Sequence, residues 1–259
     1  MSSLLTNSSA MTALQTLAST NKNLATTQNR ISTGQRVSTA SDNAAYWSIA
    51  TGMRTQNGGL SAVQDALGLG ASIVDTAYSA MNSAIETAQK IFDKWVAYET
   101  PGADQTAIQD EITKLSEAIT SFATGATFEG INLLSTAGAD QDVVIGYDET
   151  AGVVTMTVAA YDLEGEVANM TDSQSTLTAI DAMKAAAAAF GADKNRIEAQ
   201  KGFTGALMDA LDRGVGQLVD ADMEKESARL SALQVQQQLG IQALSIANSS
   251  TQNILSLFR

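Results

Sequence analysis

The side chains with the strongest claim to chemistry are four clustered acids, Asp140, Asp142, Asp148 and Glu149. Carboxylates gathered in this way attract a hard cation such as calcium. Their spacing does not follow an EF-hand loop, and an acidic rim around a turn reads more simply as solvated surface. Serine is abundant, but the chain has no histidine to activate it and no cysteine to stand in for it. The commonest general base and the commonest metal ligand are therefore both missing. No glycine run has the form that cradles phosphate after a strand. Trp95 and Tyr98 lie a turn apart, and packing against a neighbouring helix explains them better than a ligand platform does. Asn7-Ser8-Ser9, Asn169-Met170-Thr171 and Asn248-Ser249-Ser250 match the N-glycosylation pattern, which is short enough to arise by chance. The expectation is a protein that is not an enzyme, with no catalytic, cofactor-binding or metal-binding residues.

Composition narrows the class. The chain has 259 residues and a formal net charge of −13. Phosphate recognition needs clustered Lys and Arg, so nucleic acid is an unsuitable partner, and an anionic membrane surface is equally unfavourable. Residues 1–60 hold Lys22, Arg30, Arg36 and Arg54 against Asp42 alone, so the acidity lies in the rest of the chain. Met1-Ser2-Ser3-Leu4-Leu5 lacks the basic and apolar regions of a secretory signal, and no stretch reaches the roughly 18 apolar residues of a membrane span. The expectation is a soluble protein not exported by a cleaved signal peptide, with no membrane insertion.

The elements follow from periodicity. Pro101 is the only proline, which favours long uninterrupted helices. Leu17, Leu24 and Ile31 recur every seven residues, with Leu14 on a neighbouring row. Near the other end, Leu230, Gln237, Leu244, Thr251 and Phe258 form one seven-residue row, and Leu233, Gly240, Ala247 and Ile254 form the next. This is a degraded coiled-coil pattern with small and polar residues at some core positions. The outer faces are mostly Ser, Thr, Asn and Gln, as suits helices surrounded by other protein. Core helices of an ordinary bundle would show the same spacing.

Between the ends, residues from about 43 to 98 read as one very long helix, and Pro101-Gly102 as a turn. Residues 104–123 form an amphipathic helix with Ile108, Ile112, Leu115 and Ile119 on one face. Two β-rich runs, at 143–147 and 153–158, flank a turn at 148–152 and predict a hairpin. Helix resumes at about Ser173 and continues towards the C-terminal segment, loosened at Gly214 and Gly216. The fold class is mainly α: long antiparallel helices, with the N- and C-terminal segments paired as a coiled coil and a small β-hairpin inserted. The two end segments, 1–42 and 220–259, are expected to meet, with 43–219 as a second, helical region whose hairpin lies at about 143–161.

A resemblance adds what spacing cannot. Asn29-Arg30-Ile31-Ser32-Thr33-Gly34-Gln35-Arg36-Val37-Ser38, continuing through Ser41-Asp42-Asn43-Ala44-Ala45-Tyr46-Trp47-Ser48-Ile49-Ala50, resembles the N-terminal block of bacterial flagellins. Asn43 and Tyr46-Trp47 resemble the alphaproteobacterial form. Ala243-Leu244-Ser245-Ile246-Ala247-Asn248, with Ile254-Leu255-Ser256-Leu257-Phe258-Arg259, is similar to the family's C-terminal end. The resemblance covers roughly residues 1–135 and 175–259 and implies a minimal flagellin without large outer domains.

The resemblance also implies a role. The chain would be a structural subunit of the flagellar filament, exported through the flagellar type III channel, with terminal helices that fold on assembly. The alternative in the same organelle is a hook–filament junction protein. The partners implied are further copies of itself, other flagellins, an export chaperone, the filament cap and hook–filament junction proteins. Subunit contacts would involve Leu4, Leu5, Leu14, Leu17, Leu24, Ile31, Leu244, Ile254, Leu255, Leu257, Phe258 and Arg259. The family also carries two segments read by immune receptors. The plant receptor's segment aligns with residues 29–50, including Arg30, with Asp42-Asn43-Ala44-Ala45-Tyr46 where Asp-Asp-Ala-Ala-Gly is usual. The animal Toll-like receptor's segment, commonly Leu-Gln-Arg-Val-Arg-Glu-Leu, aligns with Ala88, Gln89, Lys90, Ile91, Phe92, Asp93 and Lys94. These departures imply weak activation of both.

Overall fold

The structure, a computed structural model, describes residues 7–148 and 152–257. Helix α1 spans Ser8–Thr33, α2 Ala44–Tyr98 and α3 Gln105–Gly125. Strands β1 (Thr127–Phe128), β2 (Ile131–Asn132), β3 (Gln141–Asp148) and β4 (Gly152–Val158) come next, then α4 (Leu163–Ala168), α5 (Ser173–Val219) and α6 (Met223–Leu257). The chain divides into two compact units, Met1–Arg54 with Asp212–Arg259, and Thr55–Leu211.

The unit of residues 55–211 holds the larger core. Along α2 the buried positions Leu60, Val63, Leu67, Gly70, Val74, Ala77, Met81, Ala84, Ala88, Ile91 and Trp95 alternate steps of three and four residues. That spacing keeps one stripe of a long helix turned to its neighbours. Helix α5 answers with Thr176, Ile180, Met183, Ala187, Phe190 and Ile197, and α3 with Ile112, Ile119 and Ala123. Asp75 on α2 pairs with Lys194 on α5 at 2.6 Å. Lys94 on α2 pairs with Glu111 on α3. Both pairs are partly exposed and add little beyond alignment.

Turns are set by local chemistry. Pro101-Gly102 carries the chain from α2 to α3, with Gly102 at φ 89° and Ala103 N–H donating to Thr100 O at 3.2 Å. Asp104 then caps α3 by accepting from Ala107 N at 3.2 Å. Glu129 and Gly130 both take positive φ, as a two-residue hairpin turn requires, and join β1 to β2. Asn132 of β2 donates to Ala123 O at 2.7 Å and so ties this hairpin to the end of α3.

The predicted longer hairpin is present as antiparallel β3 and β4, with a register shift between Val144 and Gly146. Residues 149–151 of its expected connection lie outside the described residues. The inner face, Val143, Met156 and Val158, is buried in the main core. Gly70 explains how it fits. A Cβ on Gly70 would run into both γ-methyls of Val143, so the missing side chain is a notch in the α2 stripe that admits the strand.

Gly70→Ala is therefore expected to destabilise this unit by about 1–3 kcal/mol, because Val143 is β-branched and has little freedom to give way. Urea unfolding of the full chain checks it. Adding Val143→Ala should recover part of the loss, and an unchanged midpoint for Gly70→Ala would sink the account.

Candidate assembly interface

The unit formed by residues 1–54 and 212–259 is built on the pairing of α1 with α6. Asn7 begins α1: its Oδ1 accepts from Ala10 N at 3.0 Å, which satisfies one of the free N–H groups at a helix start. Gly34 ends the helix at φ 70°, in the left-handed region where glycine is unstrained. Asp222 caps α6 by accepting from Lys225 N at 3.1 Å.

Each helix presents one stripe to the other. On α1 the least exposed positions are Ala10, Ala13, Leu17, Thr20, Leu24, Thr27 and Ile31. On α6 they are Glu226, Leu230, Leu233, Gln237, Gly240, Leu244 and Ala247. Both series step by three and four, the spacing of a coiled coil. Many of these side chains are small or polar, so the helices approach closely but bury little apolar surface. At Gly240 a Cβ would lie 3.1 Å from Leu17 Cδ1, so glycine is the hole that takes the Leu17 knob.

Polar contacts set the register. Asn7 Nδ2 donates to Ala247 O at 2.9 Å, Gln237 Nε2 to Asn21 Oδ1 at 2.8 Å, and Arg30 Nη1 to Glu226 Oε1 at 3.1 Å. Numbers rise on α1 as they fall on α6, so the pair is antiparallel. Glu226 is 7% exposed, and its Oε2 has no hydrogen-bond partner among the described residues. A charge in such a seam is a weak source of stability but a strong constraint on alignment, since a slipped register would strand it.

The turns between helices are fastened to each other. Arg36 N–H donates to Val219 O at 2.6 Å and Ala221 N–H to Gly34 O at 2.9 Å. Arg36 Nη2 also reaches Leu218 O at 2.9 Å, while its guanidinium lies 6.0 Å from the Tyr46 ring centroid. Val37 is buried beside this junction. Asp42 Oδ2 gathers the backbone N–H and hydroxyl groups of both Ser38 and Thr39, at 3.0 to 3.2 Å. Asn43 Oδ1 accepts from Ala45 N and Tyr46 N and starts α2.

The expected contact residues divide by position. Leu17, Leu24, Ile31 and Leu244 are half-buried in the intrachain seam. Leu14 points outward, 56% exposed. Leu4, Leu5, Phe258 and Arg259 lie outside the described residues, as do the side chains of Ile254, Leu255 and Leu257 within α6. Sequence reading missed the second α1 row, Ala13, Thr20 and Thr27, whose polar and small residues carry no apolar signal. The exposed apolar residues Met11, Val235, Leu239, Ile241 and Ile246 were also not singled out. Of the receptor-like segments, Arg30, Asp42, Asn43 and Tyr46 belong to the seam and to the junction of the turns. Gln89, Lys90 and Asp93 lie on α2, Phe92 packs on the core of residues 55–211, and Lys94 is held by Glu111.

The chemical candidates resolve into structure. Asp140 Oδ1 accepts from Ala160 N at 2.9 Å, and Asp142 Oδ1 accepts from the Thr157 hydroxyl at 2.6 Å. The side chain of Asp148, and Glu149, lie outside the described residues. Trp95 and Tyr98 meet edge to face at 5.3 Å against the core. Asn7 of one glycosylation pattern serves as the α1 cap. Ser19 and Lys22 have the spacing of a Ser–Lys dyad, but both face outward, and the Ser19 hydroxyl donates to Thr16 O at 2.8 Å. Among the described residues no group of three or more His, Cys, Asp or Glu could hold a metal ion, and no helix is long and apolar enough to cross a membrane.

A terminal antiparallel coil with outward apolar faces, joined to a unit with its own core, defines a helical structural subunit. Comparison with known proteins gives its family. The bacterial flagellin N-terminal helical region matches residues 4–139, and the flagellin C-terminal helical region matches 162–258. A flagellin of Brucella melitensis is 51% identical over the whole of both chains. Flagellin C of Rhizobium meliloti is 43% identical and a flagellin A of the same species 38%, again over all of each chain. The chain belongs to the bacterial flagellin family and is a structural filament subunit. The match to flagellin A runs over 395 positions against the 259 residues here, so that relative carries sequence this chain lacks. The interval between the two family regions, 140–161, is occupied here by the β3–β4 hairpin.

The Asp42 cluster gives a pH signature. The bonds from the backbone N–H groups of Thr39 and Ser38, then from their hydroxyls, favour the charged carboxylate and hold its pKa below the ordinary value. With the folded pKa depressed, the stabilisation is present above the unfolded carboxylate pKa and lost as pH falls through the folded one. Asp42→Ala should lower the thermal midpoint of the helical circular dichroism signal at neutral pH. The gap from the unaltered chain should close below the ordinary carboxylate range, and a gap independent of pH would contradict this.

Proposed function

We propose that this flagellin builds its filament by ordering its terminal coil among neighbouring copies. The observation that carries the reading is the make-up of the coil. Its seam includes Thr20, Thr27, Gln237, Gly240 and several alanines, while Met11, Leu14, Val235, Leu239 and Ile246 stand more than half exposed. A lone coil of this kind buries too little to offset the entropy of ordering two long segments. Surrounded by copies, the outward faces bury as well, and folding is coupled to assembly. Leu4, Leu5, Leu14, Ile254, Leu255, Leu257, Phe258 and Arg259 would contribute to contacts between copies. Leu17, Leu24, Ile31 and Leu244 would hold the pair that makes them.

In this reading the protein is not an enzyme and works outside the cell. It leaves through the flagellar type III channel without a cleaved signal, attended by an export chaperone. The filament cap and the hook–filament junction proteins would be its other partners. An expected inner domain of residues 1–42 and 220–259 would form the filament core, with 43–219 outside it.

Seeded polymerisation of the purified monomer, followed by negative-stain electron microscopy and circular dichroism, tests it. Long fibres with a gain in helicity are expected, and a chain lacking residues 240–259 should remain monomeric. Normal fibres from that shortened chain, or full helicity in the monomer, would overturn the coupling.

The immune segments support weak sensing. Tyr46 places an aromatic ring beside Arg36 where the plant-sensed pattern has glycine. Phe92 is turned into the core and Lys94 towards Glu111 in the segment aligned with the animal-sensed one. Reporter cells bearing either receptor should respond weakly to purified monomer, and a potent response from either would refute that part.

A further inference from the structure

Among the described residues the coil carries two uncovered apolar faces of different composition. Each residue turns an α-helix by about 100°. On α6, Val235, Leu239 and Ile246 each stand two positions beyond a seam residue (Leu233, Gln237 and Leu244), so they form a stripe about 200° from α1, on the far side of the helix. They are 54%, 57% and 68% exposed. On α1, Met11, Leu14 and Ala18 each stand one position beyond Ala10, Ala13 and Leu17, on a flank about 100° from the seam. Met11 and Leu14 are 65% and 56% exposed. Antiparallel pairing puts both faces in the same half of the coil, away from the Arg30–Glu226 pair.

That half has no charge. From Leu230 to Phe258 no residue is charged, and none is from Ser8 to Asn21. The occupant of either face must be equally uncharged, because a charge pressed against Val, Leu and Ile would lose its water without a partner. A second copy supplies such a surface. Symmetry then chooses between the faces. If α6 met α6, the contact would be isologous and would close as a dimer; two different faces meeting give an open chain of copies.

We propose that neighbouring copies join by seating the α1 flank of Met11, Leu14 and Ala18 on the far α6 stripe of Val235, Leu239 and Ile246. The proposal rests on the reading of the protein as a polymer ordered through its terminal coil. Because α6 turns this stripe away from α1, a disulfide between the two faces within one chain is out of reach. The chain has no cysteine of its own, so engineered pairs report without background.

The test mixes Leu14→Cys with Val235→Cys, Leu239→Cys or Ile246→Cys in turn, with the unaltered chain as half of each mixture to preserve the lattice. Filaments are grown on seeds, oxidised, dissolved and analysed by denaturing electrophoresis and peptide mapping. At least one of the three mixtures should give dimers linking position 14 to the α6 position, at several times the yield of the same mixture oxidised as monomer. Filaments that form but give no such dimers in any mixture overturn the proposal. So do dimers that join only α6 cysteines to each other. If the unaltered chain alone fails to elongate on seeds, the assembly reading fails instead, and the two failures are thereby distinct.

Discussion

The unit of residues 1–54 and 212–259 depends on the pairing of two helices from opposite ends of the chain. Asn7 and Ala247, which are joined by a hydrogen bond, are 240 residues apart. Neither helix can satisfy its apolar stripe alone, and each stripe has the alternating three-and-four step that fits another helix. The seam is thin because so many of its positions are threonine, alanine or glycine. Alignment therefore falls to the polar contacts, Asn21 with Gln237 and Arg30 with Glu226, which lose their partners in any other register.

The same repeat yields a different object in residues 55–211. There the stripe of α2 is filled by Leu67, Met81 and Ile91, which are fully buried, and α5 contributes Met183 and Ile197. Side-chain volume, rather than periodicity, separates the well-filled core of residues 55–211 from the thin seam of the coil. The notch at Gly70 gives the β3–β4 hairpin a place in that core, which allows a two-stranded sheet, marginal by itself, to persist.

Much of this was legible in the sequence. The rows Leu17–Leu24–Ile31, Leu230–Gln237–Leu244 and Leu233–Gly240–Ala247 are seam rows in the fold, and α2 runs from Ala44 to Tyr98 much as its spacing predicted. The partner row of α1 was not legible, because Thr20 and Thr27 look like surface residues until a second helix covers them. Leu14 drew attention as the apolar neighbour and stands outside the seam. The break between α5 and α6, at 220–222, contains neither proline nor glycine, and Gly214 and Gly216 just before it are helical. It is made by the bridge from Gln35 to Asp220 and by the Asp222 cap, both of which depend on the fold. Strands β1 and β2 and helix α4 are too short to show a period. The candidate interface carries no reactive groups, so residue chemistry alone had nothing to find there; the two end blocks of the family pattern pointed to it.

The separation of Asn7 from Ala247 has a consequence for the speed of folding. Closing so wide a loop carries an entropic penalty that local contacts within α2 or the hairpins do not incur. The clasp of α1 and α6 is accordingly a contact of high sequence separation, of the kind that slows folding relative to local pairing.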